Sequence, residues 1–216
     1  NSMERARMMN ALGAEVVLVD QASDSIPGQV SGKDLDLVEK AAQRIVMERK
    51  AFRADQFRLE GNVKGEEVSG EEIWRDTEGS LHAFVDMVGS GGSFTGISRV
   101  LKRHDPGIRC YLGEPLQAAW FAGQKGTEKH NIQGCGYSRE LPLLQQDLVD
   151  DYIQVSDEEA REGARDMAKM EGIFGGYSSG AHVAAARKLL LGPEKGNTVV
   201  FLICDSGLKY LSTDLY

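Results

Sequence analysis

Two rhythms alternate along the chain: short unbroken apolar runs, and longer stretches in which apolar residues return every third or fourth position. Unbroken runs fit strands covered on both faces, whereas the wider spacing fits helices with one buried stripe. Residues 2–12 are good helix formers followed by Gly13, a residue suited to ending a helix, and the run at residues 16–19 predicts a strand. Beyond a loop holding Pro27 and Gly28, Leu35, Val38, Ala42 and Ile45 share one face of a second predicted helix. Residues 51–57 predict another strand. Residues 62–74 read as mixed, because Val68, Ile73 and Trp74 are apolar but two glycines weaken any long helix.

Residues 84–88 read as a buried strand, residues 89–92 as a glycine-rich turn, and Ile97, Val100 and Leu101 as the buried face of a helix stopping before Pro106 and Gly107. Residues 109–112 predict a strand closed by Glu114 and Pro115, and residues 116–121 a brief helix. The irregular segment 123–146 is too long for a mere connector and is expected to carry ligand contacts. A strand at 149–155 meets a capping box at Ser156 and Glu159, opening a helix through residue 170 that Gly172 ends. A second glycine and serine turn, residues 173–180, opens a helix to residue 191, and the apolar run 198–204 predicts a strand covered on both faces.

Alternating strands and helices imply an α/β fold: an open, mostly parallel sheet with helices on both faces. Ligands of such sheets bind beyond the carboxyl ends of the strands, so the turn after residue 88, Glu114, and Asp205 with Ser206 are expected to converge on one crevice.

The composition narrows the candidates. Hydrophobic residues at 41% and charged ones at 27% are ordinary globular values, and no run is long enough to cross a bilayer, so a soluble, cytoplasmic protein is expected. The formal charge of −8, with no basic run to offset it, opposes non-specific nucleic-acid binding. Cys110, Cys135 and Cys204 lack CxxC spacing, and His82, His104 and His182 lack ligand-like spacing, so no disulfide framework or metal site is suggested and the histidines receive no role. Cys110 and Cys204 read as buried strand residues; Cys135, in a loop, reads as packed or reactive.

Gly89, Ser90, Gly91, Gly92 and Ser93 form a turn suited to an anion. Glycines permit positive φ and leave backbone N–H groups uncovered, while the following helix directs its positive end at the same point. In an acidic chain such a ligand must be held by local dipoles rather than by the overall field. A Walker A loop needs a Lys that is missing after these glycines, and a dinucleotide fingerprint needs a glycine where Phe94 stands. A phosphate of mononucleotide size or smaller remains, or a loop merely rich in small residues.

The turn and its flanks, from Val88 to Gly96, resemble the phosphate loop of the cysteine synthase and cystathionine β-synthase family, pyridoxal-phosphate enzymes of the second structural class, with the tryptophan synthase β-like fold. Further segments match in order. His130-Asn131-Ile132-Gln133-Gly134 is similar to the family's mobile loop, Glu171-Gly172-Ile173 with Ser178-Ser179-Gly180-Ala181 to its late helix-turn-helix, and Ser206-Gly207-Leu208-Lys209-Tyr210-Leu211-Ser212-Thr213 to its terminal signature. The resemblance implies that Gly89, Ser90, Gly91, Gly92 and Ser93 bind the phosphate of pyridoxal 5′-phosphate, that Ser206 bonds the pyridine nitrogen, and that Gln133 and Gly134 line the substrate side. Asp205 is the alternative partner of the ring nitrogen. It further implies β-replacement on an activated serine, giving cysteine or a related amino acid.

The reactive lysine and the Ser/Thr-Gly-Asn loop of that family have no match in the chain, which is therefore expected to be its C-terminal two-thirds: residues 1–51 a remnant of the small α/β domain, residues 52–216 the large cofactor-binding domain. Gly65 and Gly136-Tyr137-Ser138 also depart from the family pattern. A homodimer or a complementary N-terminal segment is the expected partner, with a small amino-acid substrate. The alternatives are a non-catalytic phosphate-binding or interaction fragment, and a β-synthase using a different nucleophile.

Overall fold

The computed structural model describes residues 3–23, 32–123 and 129–216. The loop with Pro27 and Gly28, the predicted start of the first helix at Ser2, and positions 124–128 of the irregular segment lie outside these residues. Two helices open the chain, α1 (Met3–Ala11) and α2 (Gly32–Arg49), followed by α3 (Glu60–Asp76), β1 (Ala83–Met87), α4 (Gly92–His104) and β2 (Arg109–Pro115). After a segment without regular structure apart from short 3-10 turns come β3 (Asp151–Val155), α5 (Asp157–Asp166), α6 (Tyr177–Leu191) and β4 (Val199–Phe201).

The four strands form one sheet in the order β3-β2-β1-β4, and every pairing is parallel, as the unbroken apolar runs predict. Successive side chains of β1 serve opposite faces. Ala83, Val85 and Met87 pack with Ala160 and Ala164 of α5 and with Ala181 and Ala185 of α6. Phe84 packs the other way, with Phe94, Ile97 and Leu101 of α4 and with Ile73 and Trp74 of α3. The result is a sheet between two helical layers, in which burying apolar side chains contributes roughly 1.5–3 kcal/mol each.

Four local expectations are corrected. Residues 16–19 and 51–57 are not strands: Val17, Leu18 and Phe52 are exposed, no neighbouring strand is available to either segment among the described residues, and Asp55 instead folds a turn by accepting the Phe57 N–H at 3.0 Å. A strand exists only with a partner, and apolar residues alone do not supply one. Residues 62–74 lie inside a continuous helix, α3. Its Gly70 is a crossing point, since a Cβ there would stand 2.7 Å from the Val100 Cβ of α4, so close packing offsets the helix-weakening effect of glycine. Strand β2 runs through Glu114 and Pro115 rather than ending before them.

The run 198–204 yields only the three residues of β4, half buried and paired on one side to β1. Cys204 consequently lies past the strand and is exposed, against the expected burial, whereas Cys135 is buried, the packed one of its two readings. The capping box is present: Ser156 Oγ accepts the Glu159 N–H and the Glu159 carboxylate accepts the Ser156 N–H at 2.8 Å. Beyond Asp166 the chain continues as a wider π-type turn, Met167–Glu171, ended by Gly172 at φ +69°. Among the described residues of 3–49, Ala6 and Asp34 are the buried ones. No helix among the described residues is long and apolar enough to cross a membrane.

Candidate functional site

Between the end of β1 and the start of α4 the chain must reverse within a few residues, and three glycines make this possible for different reasons. Gly91 sits at φ +84°, a left-handed conformation that a side chain disfavours, and precedes the first residue of α4. A Cβ on Gly89 would lie 2.6 Å from the Gly134 carbonyl oxygen, and one on Gly92 would lie 2.4 Å from Asn62 Nδ2. The residue before α4, Gly91, has no side chain to cap it; the Gly92 N–H reaches Ser90 Oγ at 3.4 Å, and the helix dipole is directed at the space in front of the turn. Ser90 Oγ accepts from Asn62 Nδ2 at 3.1 Å, and the Ser93 hydroxyl donates to Asp86 Oδ2 at 2.6 Å.

The turn forms one wall of a cleft of about 440 Å³ at the carboxyl ends of β1 and β4. Gly89, Ser90 and Ser93 line it, with Gly91 and Gly92 buried behind them. Gln133 and Gly134 face the turn. Their loop is pinned from three sides: the Asn131 N–H donates to both oxygens of Asp157 at 3.0 and 2.9 Å, Ile132 is buried, and the Gly136 N–H donates to the Val88 carbonyl at 3.1 Å. Cys204, Asp205, Lys209 and Tyr210 close the far end, and Ser178 of the second glycine and serine turn joins them.

Of the strand-terminal residues expected to converge, Glu114 stays out of the cleft. It is buried, its two carboxylate oxygens accepting the Phe121 and Ala122 N–H groups at 3.0 and 2.9 Å, and burial pushes its carboxyl above the usual range. Asp205 lines the cleft. Ser206 stands beside it with its hydroxyl accepting the Leu208 N–H at 3.3 Å, and is not among the lining residues. Asp205 Oδ2 receives the Tyr210 hydroxyl at 3.0 Å and Lys209 Nζ at 3.5 Å, while Oδ1 is buried without a hydrogen-bond partner.

Several lining residues received no site role from the sequence. Arg5 of α1 spans the cleft, donating to Gln133 Oε1 at 2.6 Å and to the Tyr210 hydroxyl, and its guanidinium lies 4.9 Å from the Tyr210 ring centroid. Asn62 and Glu66 come from α3, and Asp86 from β1. Their placement depends on tertiary contacts between distant segments, whereas Ser178, Lys209 and Tyr210 sat in motifs already singled out. Among the described residues no group of His, Cys, Asp and Glu could hold a metal ion.

The model for the pyridoxal-phosphate dependent enzyme family matches residues 1–205. The chain belongs to this family. It is 35% identical over its whole length to cysteine synthase 3 of Caenorhabditis elegans, covering 61% of that protein. Among solved structures, cysteine synthase of Entamoeba histolytica superposes with a TM-score of 0.85 at 30% identity, covering 100% of this chain and 61% of the other. An O-ureido-L-serine synthase superposes with a TM-score of 0.85 at 30% identity over 99% of this chain and 65% of its own. The chain thus spans under two thirds of the length of these relatives. The fold is the cysteine synthase type of pyridoxal-phosphate fold, and pyridoxal 5′-phosphate is the family's cofactor.

The residues present fit that cofactor at both ends. A cradle that side chains at Gly89 and Gly92 would disturb lies at the N-terminus of α4, whose dipole is matched to a phosphate. At the far end, the unpartnered Oδ1 of Asp205 is an acceptor suited to a ring N–H.

Proposed function

We propose that this chain supplies the cofactor cradle and part of the substrate cleft of a cysteine synthase-like enzyme performing β-replacement on an activated serine. The reading is carried by one observation: the glycine turn at the N-terminus of α4 lines one cleft together with Gln133 and Gly134. The turn's amides and Ser90 hold the phosphate, and Gln133 with Gly134 bound the substrate. Pyridoxal phosphate, when bound, supplies the electron sink for losing and adding a substituent at the β-carbon. Ser206 and Asp205 share the ring-nitrogen end. Ser206 keeps its hydroxyl proton for a neutral ring nitrogen, whereas Asp205 Oδ1 would accept from a protonated one. Arg5 restrains Gln133 and, through Tyr210 and Asp205, ties the two ends of the cleft into one network.

Residues 1–51 are proposed as part of a small domain and residues 52–216 as the large domain. The lysine that binds the cofactor is proposed to come from a segment or subunit beyond residues 1–216. Two features support this: among the described residues β4 is an edge strand paired to β1 alone, and the chain spans 61% of cysteine synthase 3. The nucleophile is left open between sulfide and another group, because relatives named for cysteine and for O-ureido-L-serine superpose equally well.

Borohydride reduction of the holoenzyme followed by peptide mapping tests the proposal. A cofactor-labelled lysine outside residues 1–216 is expected. A label on Lys209, the described lysine that lines the cleft, or no label at all, overturns it.

A further inference from the structure

His182 of α6 has no part in that reading, yet it lies fully buried directly behind the cradle. Its Nδ1 stands 2.7 Å from the Ser178 carbonyl oxygen, which can only accept, so Nδ1 carries a proton in either state of the ring. Nε2 is then the nitrogen that titrates. Two groups with opposite requirements meet it: the Met87 backbone N–H at 2.9 Å needs a lone pair, and Asp86 Oδ1 at 3.0 Å needs a proton. Asp86 and Met87 are the last residues of β1 before the cradle, and the other oxygen of Asp86 holds the Ser93 hydroxyl at 2.6 Å.

We propose that His182 is a positioning residue whose Nε2 proton selects between Asp86 and the Met87 amide, and thereby sets the shape and charge of the phosphate cradle; the inference rests on the cofactor reading above. With the proton in place, Nε2–H donates to Asp86, and an imidazolium compensates the carboxylate behind the phosphate seat. When that proton passes to water, Nε2 accepts the Met87 N–H instead. Its lone pair then faces Asp86 Oδ1, leaving an uncompensated carboxylate that holds Ser93 beside a phosphate dianion. In one step the last backbone unit of β1 gains a partner and the carboxylate that anchors Ser93 loses its compensating charge.

Among the described residues, the titratable groups facing the ring are Asp86 from β1 and Cys204, whose Sγ lies 3.8 Å from Nδ1; the Phe201 ring of β4 stacks on the imidazole. Burial pushes the imidazole down, but the bonds and charges of Asp86 and Cys204 outweigh it and hold it at about 10. A folded-state value raised above the ordinary 6.5 means that the pair's contribution to stability is complete below that value. It is lost as pH rises through about 10.

The test follows the His182 ring and the amides of residues 88–93 by NMR against pH, in the 216-residue chain and in its Asp86→Asn and His182→Gln variants. Calorimetry of pyridoxal 5′-phosphate and of pyridoxal runs in parallel. The cradle amides are expected to shift with the same midpoint as the His182 ring, and that shared shift to vanish in His182→Gln. In Asp86→Asn the ring's midpoint is expected to fall by at least about one unit, a tenfold change in proton affinity. Affinity for pyridoxal phosphate should fall about tenfold or more across the same interval, with pyridoxal changing less than about twofold and His182→Gln flat. Cradle amides that ignore the His182 titration, or pyridoxal phosphate affinity that stays level through it, overturn the proposal. If pyridoxal phosphate binds at no pH, the cofactor reading fails, and the NMR arm alone decides: a shared midpoint supports the coupling of His182 to residues 88–93 and separate midpoints refute it.

Discussion

Single positions in and around the cradle fail in different ways. Gly89→Ala would place its Cβ 2.6 Å from the Gly134 backbone oxygen, forcing the turn away from the adjoining loop. It is expected to weaken pyridoxal phosphate binding about tenfold or more, equivalent to about 1.4 kcal/mol, measured by calorimetry. Gly91→Ala instead forces a side chain into φ +84° and against Leu144, and is expected to cost about 1–3 kcal/mol of folding stability in a denaturant titration. Glu114 is a residue of the other kind, buried away from the cleft. Its carboxyl is pushed up, so the folded state binds more protons than the unfolded one just above the ordinary value of 4.5, and stability declines as pH rises out of that range. Glu114→Gln leaves one of two backbone N–H groups facing an amide donor, which should cost about 1–3 kcal/mol at neutral pH. The loss should grow in acid, where the native protein gains stability as its raised carboxyl takes up a proton and the glutamine variant does not; urea melts at two pH values measure the difference.

At the level of elements, glycines mark where helices meet. Gly163 of α5 and Gly180 of α6 face each other: a Cβ on Gly180 would stand 2.0 Å from the Ala160 carbonyl oxygen, and one on Gly163 2.3 Å from the Gly180 oxygen. Gly180→Ala must therefore separate two backbones, and a loss of about 1–3 kcal/mol or more is expected by thermal melting. Ser156→Ala removes one half of a capping box and should cost about 1 kcal/mol by the same measurement. The capping box, the continuous strand at β1 and the glycine turn were legible in the sequence because each depends on neighbours in the chain. Helix α3 was not, because the contact that compensates Gly70 comes from Val100, thirty residues away in the numbering and unmarked by any local pattern. The false strands at 16–19 and 51–57 have the same origin: local apolarity was visible and the missing partner was not. Within the site, the glycines and serines of the turn announced themselves, whereas His182 looked like any isolated histidine until its distances to Asp86 and Met87 were known.

At the level of the whole molecule, the parallel order of the sheet explains why segments far apart in sequence meet at one cleft. Strands β1 and β4 are neighbours, so the turn after one and Cys204, Asp205, Lys209 and Tyr210 beyond the other face a common space. That space lies in a chain of formal charge −8, and its own lining mixes Glu66, Asp86 and Asp205 with Arg5 and Lys209. Attraction to a phosphate is thus confined to the few ångströms over which the α4 terminus acts, while the molecule at large repels the approaching anion. Encounter and retention should therefore respond to salt in opposite directions. In stopped-flow mixing with pyridoxal phosphate, added monovalent salt is expected to speed association by screening the long-range repulsion, while the dissociation rate, governed by contacts well inside a Debye length of roughly 8–10 Å, stays nearly level. A chain of this design is expected to capture pyridoxal phosphate slowly in dilute buffer and to release it no faster in concentrated salt.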